Sequence, residues 1–340
     1  MVVYTGAGAN LYYEYESTFG TAPTFNTSSK VFGLNGRVTS LGLSTNRIDI
    51  NKLGQVEPTA YAYGQQAGRL GIGFIFDTRT SHHVFQSIFG ADANGSSPFS
   101  YPASNAEGAT TPTTKSFSTQ IQLQTGANYI QRQLTGCIAN SIGISTSIGE
   151  PVNGTLDATF GKELAVTTTN GANILDQTGV AGDPLTFAHG TFLVSNGTNT
   201  LQEVGEIQSL DMNINQNAEL LYKLGQHHAT NSFRKVLDIT GRFQTSWKDT
   251  TLLTHILNQA NDVTDTDGSI APATAGGSPV VTGLGAKLTF AHAGDSGKTL
   301  IITFKGISFG EHNVTGLEPV QPVFEELPFK AKSIQVEATV

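Results

Sequence analysis

The chain of 340 residues repeats its own pattern at a distance of about half its length. Lys52–Gln55 recurs unchanged as Lys223–Gln226, at an offset of 171 residues, and Gly36–Leu41 resembles Gly205–Leu210 at an offset of 169. Three further matches follow in the same order: Leu70–Phe76 with Leu237–Phe243, Val84–Phe89 with Leu252–Leu257, and Ile130–Gly136 with Leu300–Gly306. Because all five offsets lie between 167 and 171, the sequence predicts a tandem duplication of one domain.

Composition excludes several classes of protein. Charged residues are 14% of the chain and the net charge is −8, with only 19 Lys and Arg, which argues against a protein that wraps nucleic acid. No apolar run is long enough for a membrane-spanning helix, and Met1–Gly8 lacks the features of a secretion signal. With Cys137 as its only cysteine, the chain can form neither an internal disulfide nor a multi-cysteine zinc site.

Hydrophobic periodicity predicts a mainly β protein. Val38–Leu43 and Leu70–Phe76 alternate apolar and polar residues, as half-buried strands do, and Leu210–Ile214 does the same in the second half. One segment in each half instead has helical spacing, namely Thr80–Phe89 and Asp249–Leu257. We therefore expect each half to contain a set of strands and one short helix.

The repeat also suggests domain boundaries. We assign residues 1–29 to an N-terminal arm, 30–160 to the first copy, 161–199 to a connecting segment and 200–340 to the second copy. Within the connecting segment, Leu185–Phe187 and Phe192–Val194 are predicted to pair as a short hairpin. Long polar loops follow both predicted helices, at residues 91–116 and 258–282, and we expect them to contact a neighbouring molecule.

Candidate chemical motifs are weak. The pairs His82–His83 and His227–His228 lack carboxylates at ligand spacing, so surface or interface histidines are favoured over a metal site. Asp262–Gly268 resembles a calcium loop but lacks the first carboxylate and the bidentate glutamate. Cys137 lies in an apolar strand and is predicted to be a buried hydrophobic residue. The sequence thus predicts no catalytic site, cofactor or metal.

Longer stretches resemble the tail tube proteins of tailed phages and archaeal tailed viruses. The resemblance rests on Glu206–Gln226, where a strand with an Asn-rich tip leads into a Leu-Gly turn, and on the strand Val236–Thr245. Tyr4–Gly20 and Glu325–Val336 look like the two ends of the family's two-domain members. The first copy departs from the pattern, since Leu43–Ile50 replaces the Asn-rich tip.

This resemblance implies a fold and a function. It implies two tandem β-sandwich or split-barrel domains, each with one short flanking helix, whose sheets join edge to edge in a ring. Single-domain relatives form six-membered rings, so three chains are expected to close one pseudo-hexameric ring. Stacked rings form a hollow tube in the virion, assembled in the host cytoplasm, that conducts viral DNA. The implied partners are further copies of the chain and the tape-measure, tail terminator and tail tip proteins.

Two sets of residues are candidates for these roles. A lumen that lets DNA slide should be neutral or acidic, and Asp49 and Asp211, one in each copy, are the candidates for its wall. Tyr12, Tyr13, Tyr15 and Phe19 have two interpretations: core packing of a first strand, or aromatic anchors of an arm that docks on an adjacent subunit, which we favour.

Two alternatives remain open at the level of sequence. The same fold could form the inner tube of a contractile injection system, which a neighbouring sheath gene would indicate. In a different class, a secreted carbohydrate-binding or adhesin β-sandwich fits the β pattern, although no secretion signal is evident.

Overall fold

The computed structural model describes residues 9–25, 29–53, 56–57, 60–90, 97–101, 115–125, 128–168, 182–195, 201–203, 206–247, 285–292, 294, 297–318 and 322–340. The described chain is mainly β, as predicted. A 3₁₀ helix at Ser81–Phe85 runs into the short helix α1 (Gln86–Phe89), which confirms the helical segment expected in the first half. The helix expected at Asp249–Leu257 and the loop expected at residues 258–282 lie outside the described residues.

Eighteen strands and a 3₁₀ turn at Phe187–His189 make up the rest of the regular structure in the described residues. The first half contains β1 (Ala9–Tyr15), β2 (Leu34–Ile50), β3 (Ala60–Ile75), β4 (Phe99–Tyr101), β5 (Phe117–Thr125), β6 (Asn128–Ser147), β7 (Asn153–Phe160) and β8 (Lys162–Thr168). The second half contains β9 (Gly190–Ser195), β10 (Leu201–Glu203), β11 (Ile207–Asn215), β12 (Glu219–Leu221), β13 (Asn231–Phe233), β14 (Asp238–Ser246), β15 (Gly285–Ala291), β16 (Thr299–Phe309), β17 (Asn313–Thr315) and β18 (Phe324–Thr339).

One large antiparallel sheet runs through both halves. Its main path is β10-β9-β15-β16-β18-β14-β11-β6-β7-β3-β2, and β12 and β13 form a separate hairpin. The halves meet where β6 pairs with β11, from Ser147 opposite Ser209 to Ser141 opposite Asn215. We call this ladder the seam. Because the seam is an ordinary strand pairing, the sheet continues from one half into the other.

The same order of neighbouring strands occurs twice. In the first half the order is β2-β3-β7-β6-β5-β1, and in the second half it is β11-β14-β18-β16-β15-β9. Thus β1, at the N-terminus, occupies the place that β9 takes in the second half.

The core lies against one face of this sheet. Alternate residues of the central strands are buried, such as Ile142 and Ile144 on β6 and Leu210 and Met212 on β11. The helical segment covers the first half, where the ring of Phe85 lies 6.0 Å from that of Phe76. Burial of each large apolar side chain contributes roughly 1.5–3 kcal/mol to the stability of the fold. The buried side chains of the two halves pack together in one hydrophobic core.

The prediction of a hairpin in the connecting segment is wrong. Phe187–His189 forms a 3₁₀ turn, closed by reciprocal contacts between Thr186 and His189. Leu185 instead bonds to the first half, donating its N–H to the carbonyl of Phe76. Phe192–Val194 belongs to β9, which pairs with β10 and β15. The two apolar runs therefore serve different halves and do not face each other.

Other parts of the predicted linkers are also strands. β8 falls within the connecting segment, but it pairs with β6 of the first half. Phe99–Tyr101, within the predicted loop at residues 91–116, is β4 and pairs with β18 of the second half. The side chain of Tyr101 is fully buried there, which explains why this piece of a polar stretch is ordered against the sheet.

Candidate functional site

The face of the sheet opposite the core is polar across the seam. Side chains from β7, β6, β11 and β14 alternate with the buried ones and form rows that cross all four strands. We call this surface the polar face. The three rows are Asp157, Ser141, Asn215 and Asp238; Thr155, Gly143, Asn213 and Thr240; and Asn153, Ser145, Asp211 and Arg242.

Carboxylates outnumber cations among the charged residues of this face. Arg242 lies between two carboxylates, 3.6 Å from Asp211 and 3.5 Å from Glu326 on the neighbouring strand. Lys330 lies 3.6 Å from Asp238. Exposed ion pairs of this kind add only ~0–1 kcal/mol to stability each. Their consequence is electrostatic: two of the cations on the polar face stand beside carboxylates and do not form a continuous basic track.

The two candidate lumen residues lie far apart in the fold. Asp211 is exposed on the polar face, in the strand that forms the seam. Asp49 lies near the end of β2, where β2 and β3 extend as a hairpin beyond the residues of β3 that pair with β7. Asp49 bonds to Arg47 at 3.1 Å, and the Arg47 guanidinium lies 5.0 Å from the centre of the Tyr61 ring.

The N-terminal aromatic residues lie against their own chain. β1 pairs with β5, Tyr12 and Tyr13 are buried, and the ring of Tyr13 stacks on Phe32 at 4.2 Å. Tyr15 donates its hydroxyl to the backbone carbonyl of His83 at 2.6 Å. Burial raises the pKa of Tyr13 well above its usual value. An inter-subunit arm would require β1 to pair with the β5 of another subunit, and it stays a prediction.

A buried carboxylate that sequence reasoning missed fixes the segment after β1. Glu16 accepts hydrogen bonds from the Ser118 hydroxyl and the Gly136 N–H through one oxygen, at 2.6 and 2.7 Å, and from the Gly20 N–H through the other, at 2.7 Å. Three donors compensate for burying the carboxylate. The only signal in the sequence was an acidic residue beside an aromatic strand, which is not specific.

In the described part of the chain, the histidine pairs and Cys137 do not form a reactive centre. His82 is buried rather than on the surface as expected, because its ring packs 4.7 Å from Phe99, whereas His227 is exposed and contacts the Gly64 carbonyl. Cys137 is fully buried, as predicted, and burial raises the pKa of its thiol. Within the described residues, no three His, Cys, Asp or Glu side chains stand close enough to hold a metal. Asp262–Gly268 lies outside them.

The set of strands that carries the polar face ends in β2 on one side and in β17 on the other. The outer edges of these two strands have no partner in the described part of the chain. β2 ends the main path of the sheet and pairs only with β3. At the far side of the second half, β17 pairs only with β18. The hairpin beyond β2 also exposes apolar side chains, and Leu53 and Val56 are fully exposed.

The connection after β11 crosses from the second half onto the first. Gln216 donates its N–H to the Asn140 carbonyl at 2.8 Å, and Tyr222 donates its hydroxyl to the Gln66 carbonyl at 2.8 Å. Farther along, Arg234 bonds to the carbonyl of Ile88 at the end of α1, at 3.3 Å. In the described residues, this crossing connection and the pairing of β4 with β18 add to the seam as contacts between the halves.

Comparison with known proteins identifies the family. A family model described as phage tail tube protein matches residues 6–331, nearly the whole chain. The chain belongs to the phage tail tube protein family, which confirms the resemblance seen in its sequence. It is a structural protein family of the virion tail, and its members assemble with further copies into a tube. None of the curated protein sequences compared with the chain matches it. No helix in the described part is long and apolar enough to cross a membrane.

Proposed function

We propose that this tail tube protein is the major tube subunit, and that three chains form one pseudo-hexameric ring of a hollow tube that conducts viral DNA into the host. The observation that carries the proposal is the seam: two halves with the same strand order are already joined edge to edge within one chain. A sheet that continues by the same pairing from chain to chain closes on itself and leaves no exposed edge.

Tandem duplication is supported by more than the strand order. Gly136 on β6 has φ of +64° and Gly306 on β16 has φ of +63°, in strands that occupy equivalent places in the two halves. When Gly136 is aligned with Gly306, β6 corresponds to β16 at an offset of 170 residues. The neighbouring strands β7 and β8 then correspond to β18 at an offset of 171. Lys52–Gln55 and Lys223–Gln226 repeat at the same offset of 171.

A ring of three chains gives a passage wide enough for a DNA duplex. Each chain contributes eight strands to the polar-face layer: β2, β3, β7, β6, β11, β14, β18 and β17. At a strand spacing of ~4.8 Å and a tilt of ~40°, three such sets close a barrel on the order of 50 Å across between backbones.

We propose that the polar face lines this passage. Its short hydroxyl and amide side chains leave the passage open, and two of its cations, Arg242 and Lys330, stand beside carboxylates. DNA held by many unpaired lysines or arginines would slide poorly, because each phosphate contact adds to affinity. A neutral or acidic wall favours transit. The role is structural and not catalytic, and the proposed partners are the tape-measure, tail terminator and tail tip proteins.

Negative-stain electron microscopy of the purified, concentrated chain tests the proposal. Hollow tubes built of rings with threefold symmetry are expected. Rings of six chains would overturn the trimeric stoichiometry, and a chain that stays monomeric at every concentration would overturn the tube assignment. A density map with a basic inner wall would contradict the proposed lining.

A further inference from the structure

We propose that β2 of one chain pairs antiparallel with residues 311–317 of the next, with Ser40 opposite Thr315 and Ser44 opposite Glu311. This junction deepens the proposed tube function and rests on it. It specifies which two edges meet and in which register, so that the contact between chains repeats the contact between halves.

The seam supplies the template. Across it, Ser145 faces Asp211 and Ser141 faces Asn215. At the 170-residue offset between Gly136 and Gly306, Ser145 of β6 corresponds to Thr315, in β17. The junction therefore uses the same part of the second half that the seam uses in the first.

The position of β2 follows from the ladders. Gly143 faces Thr155, which faces Gly73 on β3. The equivalent steps in the second half lead from Asn313 to Glu326 and then to Gln244. One step farther, Gly71 faces Ser40, just as Arg242 faces Asp211. Ser40 is thus the counterpart of Asp211, and its partner in the next chain is the counterpart of Ser145.

The composition of β2 is typical of a strand that pairs on both of its edges. Exposed edge strands are usually blunted with charges or prolines, because their unpaired backbone groups template unwanted pairing. Residues 38–46 read Val-Thr-Ser-Leu-Gly-Leu-Ser-Thr-Asn, without a charge or a proline. Most of these residues are exposed, and β2 pairs on its other side with β3 alone in the described structure.

The same symmetry accounts for the apolar hairpin. At the seam, the connection after β11 crosses onto the adjoining half through Gln216 and Tyr222. The β2–β3 hairpin is its counterpart, since Lys52–Gln55 matches Lys223–Gln226. In the junction this hairpin reaches the second half of the next chain, which would cover Leu53 and Val56.

Cysteine pairs test the register directly. At the seam, Gln216 bonds to Asn140 and Ile148 bonds to Gln208, so the residue pairs between them alternate and Ser145–Asp211 is a non-hydrogen-bonded pair. Such pairs have Cα atoms ~4.5 Å apart, within disulfide range.

The test variant is Ser40→Cys with Thr315→Cys, and Ser145→Cys with Asp211→Cys is the control within one chain. Ser44→Cys with Thr315→Cys shifts the register by four residues on the same strand. Cys137 is fully buried and can stay.

After mild oxidation of assembled protein, non-reducing gels should show the Ser40/Thr315 variant as one, two and three linked chains, with no larger product. The control should cross-link without a change in mass, and the shifted pair and Ser40→Cys alone should form at least tenfold less linked product. Tubes that form without cross-linking at Ser40/Thr315, or cross-linking that is equal in the shifted pair, would overturn the junction while leaving the tube function standing. A ladder that runs past three chains overturns the trimeric ring alone. A protein that never assembles overturns the tube function and, with it, the junction.

Discussion

Gly136 and Gly306 adopt the same left-handed backbone conformation at equivalent positions of β6 and β16, with φ of +64° and +63°. At Gly136 the register between β5 and β6 shifts, whereas at Gly306 the register between β16 and β18 is the same on both sides of the glycine. This pair of left-handed glycines is the most specific structural trace of the repeat, because few residues other than glycine adopt such a φ readily.

Alanine at either of these glycines should destabilise the chain. A non-glycine residue with this φ costs about 1–2 kcal/mol. At Gly136 the added methyl would also lie 3.0 Å from the Phe19 ring, whereas at Gly306 it meets the flexible side chain of Lys332. We expect Gly136→Ala to lower the urea midpoint more than Gly306→Ala. Gly42→Ala is the control, since its methyl enters open space. Equal midpoints for Gly306→Ala and Gly42→Ala would refute the strain argument.

Glu16→Gln should weaken the attachment of the N-terminal segment. The amide has one oxygen fewer to accept the three donors that surround Glu16, so one buried N–H or O–H loses its partner. The expected loss in the free energy of unfolding is about 1–3 kcal/mol. Glu14→Gln is the matched control, because Glu14 is partly exposed and forms an ion pair with Lys30 at 3.2 Å, so its loss should stay below about 1 kcal/mol. Similar losses for both variants would contradict the role of Glu16.

His82 should make stability depend on pH. Burial, with a smaller contribution from His83, lowers the pKa of His82 from 6.5 to about 2. The unfolded chain binds a proton at this residue below pH 6.5 and the folded chain does not, so stability is full above pH 6.5 and falls as the pH drops. By pH 5 the loss should reach about 2 kcal/mol. His82→Phe should remove this part of the pH dependence in unfolding measurements at pH 7 and pH 5, and an unchanged slope would count against it.

Leu53→Asp should impair assembly without unfolding the subunit. Because Leu53 is fully exposed, its replacement should change the free energy of unfolding by less than about 0.5 kcal/mol. If the hairpin contacts a neighbouring chain, a buried carboxylate there should raise the protein concentration at which tubes first sediment. Leu53→Met keeps the apolar contact and should assemble as the parent does. Normal assembly of Leu53→Asp would show that the hairpin tip stays in solvent.

Asp211→Lys should make the tube retain DNA. The substitution removes one of the two carboxylates beside Arg242 and adds a further cation to the polar face. Assembled tubes should then hold a short duplex at low salt and release it as salt rises. Asp49→Lys makes the same charge change in the hairpin and tests the other predicted lumen residue. If Asp211→Lys tubes retain no more DNA than the parent, the polar face does not line the passage.

The sequence determined the class of structure because its signals are local. Alternation of apolar and polar residues marked strands such as Leu70–Phe76, helical spacing marked Thr80–Phe89, and an apolar setting marked Cys137 as buried. The repeat and the resemblance to tail tube proteins also came from the order of residues alone. Each of these features is encoded by neighbours along the chain, which is why it could be found without a structure.

Register and partners were decided only by the tertiary structure. The sequence matched Leu70 with Leu237, but the ladders equate Leu70 with Gly241, four residues along. Side chains along a strand alternate with a period of two, so alignments of the two copies that differ by an even number of residues match almost equally well. Only packing against the neighbouring strands selects one alignment. For the same reason the sequence could not distinguish Asp211 on the polar face from Asp49 in the hairpin, or place Tyr13 in the core. Which strands meet at the seam depends on contacts between residues far apart in the chain, and those contacts exist only in the folded protein.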